Sequence, residues 1–283
     1  MRQIRTRTLE FGILEEGSGP LALCLHGFPD TAHTWRHLLP ELANAGFHAV
    51  APFMRGYAPS ALAGDDVYSL GSLVADAVAL HEALDGDKQA VLIGHDWGAE
   101  ATYGAGAFAP ERFRKLVTLA IPPTGLDQRV FSDYGQLKRF WYMFFLGAPF
   151  AEPVVAADEM AFLARLWSDW SPGYDASEDL AFLKQSLSEP ERLRAAIGYY
   201  RSNDGSGPDP HAAEREAMRR PAPQPTLYVH GSQDGCIAFD LARDAQEYLG
   251  AGSHVVELDE VGHFVQLEAP ERVNRLILDW VTS

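Results

Sequence analysis

The sequence is poor in positive charge and in cysteine. Its 283 residues include 23 lysines and arginines against 39 aspartates and glutamates, which gives a net charge of −16 with histidine neutral. Nucleic acids and anionic membrane surfaces bind clustered basic residues, so we expect neither as a partner. The two cysteines, Cys24 and Cys236, form no disulfide framework or zinc-binding pattern, and we expect a reducing, cytoplasmic location.

Long apolar runs are also missing. No segment could span a bilayer, and the first twelve residues, MRQIRTRTLEFG, lack the apolar core of a signal peptide. The sequence contains no phosphate-binding loop, dinucleotide fingerprint or metal-ligand cluster, so we expect no cofactor and no metal. The length fits one large α/β domain, or a core domain that carries an inserted subdomain.

Short apolar segments alternate with amphipathic ones along most of the chain. The predicted strands are 21–25, 47–52, 91–93, 116–121, 226–229 and 254–258, and the predicted helices are 35–45, 69–85, 99–108, 239–249 and 270–280. Continuous apolar strands separated by helices indicate a mostly parallel sheet that helices cover on both faces. Residues 9–14 should add an antiparallel edge strand.

Strand signals are missing from residues 124–220, which contain three of the six tryptophans. This segment has helical spacing and ends in the loop SNDGSGPDP, residues 202–210, and a second proline-rich stretch, PAPQP. We therefore predict a helical cap subdomain over 124–220, inserted into a core domain made of 1–123 and 221–283. Such a cap would cover the carboxyl ends of the strands, where open α/β sheets bind ligands.

The segment GHDWGA, residues 94–99, follows a predicted strand and precedes a predicted helix. Small residues on both sides of Asp96 would let the strand and the helix approach closely, which is the pattern of a nucleophile elbow. An aspartate just before a helix is also a common N-cap, and this is the alternative for Asp96 taken alone.

Two further polar residues follow predicted strands. Asp234 lies in HGSQDG after strand 226–229, and His263 lies in VGHFVQLEAPE ahead of the last helix. A nucleophile, an acid and a histidine in this chain order, each near the carboxyl end of a strand, predict a catalytic triad. A surface loop histidine is the alternative for His263 alone. His95, next to the candidate nucleophile, should point away from it.

The whole chain resembles proteins of the α/β-hydrolase fold, and HGFPD (residues 26–30) together with GHDWGA resembles their epoxide hydrolase branch. The resemblance implies that Asp96 attacks a substrate carbon and forms an alkyl-enzyme ester. Water activated by His263, which Asp234 orients, would then hydrolyse this ester. The backbone N–H groups of Phe28 and Trp97 would stabilise the oxyanion, and the Phe28–Pro29 peptide bond would be cis.

The same resemblance implies two cap tyrosines that assist the opening of an epoxide. Tyr142, in FWYMFF (140–145), and Tyr200, in GYYRSN (198–203), match the two motifs. A neutral phenol can donate a hydrogen bond to the epoxide oxygen and can give up its proton. The alternative is that both rings only pack within the cap. Trp141 and Tyr134 compete with Tyr142 for the first role, and Tyr199 competes with Tyr200 for the second.

The expected function is hydrolysis of a small apolar epoxide, with water, to a vicinal diol. A haloalkane dehalogenase is the second hypothesis, because it uses the same aspartate nucleophile. One large class of dehalogenases has asparagine at the position of Phe28, and fluoroacetate dehalogenases have a triad acid after the fourth strand, where LAIP (119–122) offers none. A non-catalytic ligand-binding protein of the same fold is the third hypothesis, against which the complete triad argues. A homodimer is left open.

Overall fold

The strands of the chain form one sheet in the computed structural model, which describes residues 1–203 and 209–283 apart from the side chain of Asp127. They are β1 (Arg2–Arg5), β2 (Glu10–Gly17), β3 (Leu21–Leu25), β4 (His48–Pro52), β5 (Val91–His95), β6 (Lys115–Leu119), β7 (Thr226–Gly231) and β8 (His254–Leu258). Their order across the sheet is β1-β2-β4-β3-β5-β6-β7-β8. The predicted fold class is confirmed, because the strands from β3 onwards pair in parallel.

One edge of the sheet differs from the prediction. The strand expected at 9–14 is β2, and it does pair antiparallel with β4, but β1 pairs with it on the other side and forms the true edge. β1 escaped prediction because only Ile4 of its four residues is buried, so the strand has no alternating apolar pattern.

Helices of the core flank the sheet. They are α1 (Leu39–Asn44), α2 (Leu70–Ala83), α3 (Trp97–Phe108), α11 (Val265–Glu268) and α12 (Pro270–Thr282). The helix predicted at 35–45 is shorter, because a 3-10 turn at Ala32–Trp35 comes first and α1 begins with Pro40 in its first turn. Proline is favoured at a helix start because it lacks the N–H that a longer helix would require.

The helix predicted at 239–249 is wrong. The chain forms two separate 3-10 turns there, Phe239–Ala242 and Ala245–Tyr248. Phe239, Ala242, Ala245 and Tyr248 recur every three residues and pack into one apolar cluster with Tyr228. A spacing of three matches the three residues per turn of a 3-10 helix and not the 3.6 of an α-helix.

Between β6 and β7 the described residues form helices and no strand. These helices are α4 (Asp127–Ser132), α5 (Tyr134–Arg139), α6 (Trp141–Gly147), α7 (Ala151–Trp170), α8 (Ser177–Ser186), α9 (Pro190–Arg201) and α10 (Ala212–Ala217). α7 departs from helical geometry at 157–160. α10 packs against α2 and α3. Residues 204–208 of the predicted loop 202–210 lie outside the described residues. Within those residues, no helix combines the length and apolar character needed to cross a membrane.

Candidate active site

Asp96 stands on a tight turn between β5 and α3. Its backbone has φ 52° and ψ −125°, a left-handed conformation that is strained for a residue with a side chain. The turn also needs glycines, because a Cβ at Gly98 would lie 2.2 Å from the carbonyl oxygen of Leu25, and one at Gly94 would lie 2.1 Å from that of Gly98. This geometry is that of a nucleophile elbow.

The Asp96 carboxylate points across the end of the sheet, away from its own helix. It makes no capping hydrogen bond to α3, so the simple N-cap interpretation is wrong. Its Oδ1 instead accepts a hydrogen bond of 2.7 Å from the backbone N–H of Phe28. A side chain at Gly27 would occupy this space, since its Cβ would lie 2.2 Å from Oδ1. The Phe28–Pro29 bond is cis, as predicted.

His263 links the two predicted carboxylates. Its Nδ1 lies 2.8 Å from Oδ2 of Asp234, and its Nε2 lies 3.7 Å from Oδ2 of Asp96. Both the imidazole and the Asp234 side chain are fully buried. Asp234 accepts a hydrogen bond from the Nδ1–H of His263, and Nε2 is the nitrogen that faces Asp96. The structure therefore brings the three residues together in the predicted order.

Hydrogen-bond donors surround the Asp234 carboxylate. Oδ1 accepts from the backbone N–H groups of Cys236 (2.6 Å) and Ile237 (2.9 Å), and His230 Nε2 lies 3.2 Å from Oδ2, which also bonds His263. Although burial alone would raise the pKa of Asp234, the charge of His263 and the side-chain hydrogen bonds from His230 and His263 lower it well below its usual value. Asp234, Cys236 and His263 lie close enough to hold a metal ion, but the carboxylate lone pairs are already used.

The two carboxylates set the charge of the imidazole. Burial alone would lower the pKa of His263, but Asp234 and then Asp96 outweigh burial and raise it above its usual value. His95 lies beside His263, with 4.8 Å between the ring centroids, but burial and then the charge of His263 lower its pKa to about 3, so this ring stays neutral. Its Nε2 lies 3.0 Å from the carbonyl oxygen of His263, so it supports the loop and faces away from the Asp96 carboxylate, as expected.

Both predicted tyrosines line one cavity with Asp96. The Tyr200 ring lies 5.1 Å from the Phe28 ring and 5.9 Å from the Tyr142 ring, measured between centroids. The Tyr142 hydroxyl lies 3.1 Å from Sγ of Cys236. Burial, followed by nearby charge, raises the pKa of both phenols well above the usual value, so both are neutral donors.

The competing aromatic residues lie elsewhere. The Tyr199 hydroxyl donates to the backbone oxygen of Arg55 and is turned into the protein. Tyr134 is 73% exposed and Trp141 is 46% exposed, and neither lines the cavity. Among the candidates, Tyr142 and Tyr200 are therefore the two that line the cavity with Asp96.

The cavity comprises about 560 Å³ of empty space, part of it open to solvent, between the sheet and helices α4, α6 and α9. Apart from Asp96, Glu100 and the two tyrosines, its walls are apolar or aromatic: Trp97, Ile121, Pro122, Val130, Phe131, Phe140, Met143, Cys236 and Ile237. This composition fits a small apolar ligand.

The sequence matches the family model of the α/β hydrolase fold over residues 20–270. The chain belongs to this family. Epoxide hydrolase A of Mycobacterium tuberculosis is 27% identical over 99% of this chain and 95% of its own length. Epoxide hydrolase 4 of Mus musculus is 30% identical over 93% of this chain and 73% of its own length. The crystal structure of an epoxide hydrolase from Bacillus megaterium in complex with an inhibitor aligns with this structure over the full length of both chains, at 26% identity and a TM-score of 0.85.

The hydrolase therefore falls in the epoxide hydrolase branch of the family, as its motifs predict.

Sequence reasoning missed three residues around Asp96, Asp234 and His263. Cys236 reaches Tyr142, while Ser171 and Glu268 bind the backbone of the His263 loop. The spacing of Cys236 from Asp234 was visible, but no pattern in the sequence shows that Ser171 would meet a loop more than 90 residues away.

We expect Asp96→Asn to lower the pKa of His263. The substitution removes one of the two negative charges that favour the imidazolium, so the ring should lose its proton at a lower pH than in the parent protein. NMR titration of ¹⁵N-labelled histidine measures this shift. Glu15→Gln is the control, because Glu15 on β2 contacts Arg2 and His48 and not His263. An unchanged His263 titration in Asp96→Asn would contradict the electrostatic coupling.

Proposed function

We propose that this protein hydrolyses a small apolar epoxide to a vicinal diol through a covalent ester on Asp96. The observation that carries this proposal is that one cavity holds the Asp96 carboxylate and the two buried phenols of Tyr142 and Tyr200. A nucleophile and two neutral hydrogen-bond donors facing one apolar space suit the opening of an uncharged strained ring.

In the first step, a carboxylate oxygen of Asp96 attacks an epoxide carbon. The new bond forms between this oxygen and the carbon while the carbon–oxygen bond of the ring breaks. Tyr142 and Tyr200 donate hydrogen bonds to the departing oxygen, and one of them gives it a proton. The hydrogen bond from Phe28 to Oδ1 holds the carboxylate in place for this attack.

In the second step, water hydrolyses the ester. His263 accepts a proton from the water as its oxygen adds to the ester carbonyl, and the N–H groups of Phe28 and Trp97 stabilise the oxyanion. Collapse of this intermediate breaks the bond between the carbonyl carbon and the alkyl oxygen, which takes the proton held by His263 and leaves as the diol. The Asp96 carboxyl group formed in this way loses its proton, which restores the phenol. Esterification removes the charge of Asp96, so the pKa of His263 falls and the ring can lose its proton, which gives the neutral imidazole that accepts a proton from water.

The segment 124–220 acts as a cap in this proposal. α6 carries Tyr142 and α9 carries Tyr200, and Phe131 of α4 lines the same cavity. These helices close the space above the strand ends, which excludes water from the alkylation step.

The geometry favours an epoxide over a haloalkane. A halide site made by Trp97 and Trp141 would need both indoles at the cavity, but Trp141 is half exposed and does not line it. The phenols near Asp96 instead offer donors for an oxygen that gains a proton.

A paired assay tests the reaction class. We expect the purified protein to convert styrene oxide to its diol and to release no bromide from 1-bromobutane. Asp96→Ala should abolish diol formation while circular dichroism and the melting temperature stay close to the parent values, because the change removes only the attacking oxygen. Diol formation by a folded Asp96→Ala variant, or bromide release by the parent protein, would contradict the proposal.

We expect Tyr200→Phe to slow alkylation of Asp96, because the departing oxygen loses a donor. The loss for the pair Tyr142→Phe and Tyr200→Phe should be about 10²- to 10⁴-fold, the usual worth of acid catalysis. Single-turnover stopped flow measures alkylation directly. Tyr199→Phe is the control, since its hydroxyl faces Arg55. Parent rates in both single variants would show that the phenols are not the acids.

His263→Gln should separate the two steps. Asp96 should still open styrene oxide, but without a base the ester should accumulate to about one per active site. Mass spectrometry of the intact protein should show the added mass of the epoxide, located on the peptide that contains Asp96. Steady turnover at the parent rate, or an adduct on another residue, would show that the assigned roles are wrong.

A further inference from the structure

Ser171, at the carboxyl end of α7, binds the loop that carries His263. Its Oγ lies 3.0 Å from the backbone nitrogen of His263 and 3.2 Å from that of Phe264, from which it accepts. The same hydroxyl donates to Oε1 of Glu268 at 2.5 Å. One side chain from the segment 124–220 therefore contacts the backbone of the proposed base itself.

Glu268 binds the backbone of the same loop through both of its carboxylate oxygens. Its Oε2 accepts from the N–H of Gly262 at 2.8 Å, and its Oε1 accepts from the N–H of Phe264 at 3.0 Å. The residues before and after His263 are thus bound by one carboxylate, while Ser171 and the carbonyl oxygen of Trp170 take the N–H of His263. The backbone N–H groups of Gly262, His263 and Phe264 are therefore all hydrogen-bonded.

The same turn of chain also meets the loop of the triad acid. The carbonyl oxygen of Trp170 accepts from the N–H of Gly235 at 3.0 Å as well as from His263 at 3.1 Å. At both Gly235 and Gly262 the neighbouring backbone is too close for a side chain. A Cβ at Gly235 would lie 1.9 Å from the carbonyl oxygen of Asp169, and one at Gly262 would lie 2.6 Å from Cα of Ser171.

We propose that Ser171 and Glu268 are positioning residues for the hydrolysis of the Asp96 ester. They hold the backbone of His263 so that Nδ1 stays on Asp234 while Nε2 faces Asp96 and the attacking water. This inference rests on the proposed function. In the affected step the water oxygen bonds to the ester carbonyl carbon, its proton passes to His263 Nε2, and the bond to the alkyl oxygen breaks.

The role should be selective for one half-reaction. Alkylation uses the Asp96 carboxylate and the two phenols, and none of these contacts Ser171 or Glu268. Hydrolysis depends on where Nε2 lies, and a displacement of about 1 Å in a catalytic group can cost about a hundredfold in rate. A residue that only stabilised the fold would affect both half-reactions alike.

Ser171→Ala and Glu268→Gln test the proposal with styrene oxide in stopped flow and by mass spectrometry of the intact protein. We expect ester hydrolysis to slow by about tenfold to a hundredfold, alkylation to stay within twofold, and the covalent adduct to build up during turnover. KM should fall together with kcat, because the intermediate accumulates. Ser171→Thr keeps the hydroxyl and should restore much of the hydrolysis rate.

Glu152→Gln is the matched control, because Glu152 binds Arg194 and Arg201 within the same helical segment but does not touch the triad. It should change neither half-reaction. Equal slowing of both steps in Ser171→Ala and Glu268→Gln, or no accumulation of adduct in folded variants, would overturn the inference. Failure of His263→Gln to trap an ester would instead overturn the proposed function.

Discussion

The strained turn at Asp96 is the constraint on which the rest of the site depends. A left-handed residue can persist there only because Gly94 and Gly98 let β5, α3 and the end of β3 come into contact. This close approach brings the N–H of Phe28 to the carboxylate and places the cavity directly above the strand ends. The packing of the sheet therefore determines the direction in which the Asp96 carboxylate points.

The buried charges of Asp96, Asp234 and His263 are the second constraint on the site. Two buried carboxylates share one buried imidazole, in a chain whose net charge is already −16. Asp234 tolerates burial because four donors surround it, whereas Asp96 has one backbone donor and faces open space. The two aspartates therefore differ in their surroundings: the Asp234 carboxylate is fully hydrogen-bonded, whereas the Asp96 carboxylate faces the cavity.

Local patterns in the sequence predicted the parts of the fold that rest on local physics. Strands β3 and β8 have the bounds that the sequence predicts, and Asp96, Asp234 and His263 meet because parallel strands end at one edge. The sequence did not predict β1 or the 3-10 turns at 239–249. A four-residue edge strand with one buried residue, and an apolar repeat of three residues, are weak sequence patterns. Ser171 and Glu268 could not be predicted, because their meeting depends on how two distant segments pack.

The contact between Trp170 and the glycines at 235 and 262 limits how this enzyme can be engineered. Helical insertions are attractive units to exchange between related hydrolases, since they shape the pocket. Here the exchanged segment would bring its own residues against Gly235 and Gly262, where even a methyl group has no space. A chimera would therefore have to take the turn 169–171 from the same parent as the loops that carry Asp234 and His263. The boundary for recombination lies at this contact and not at the ends of the segment 124–220.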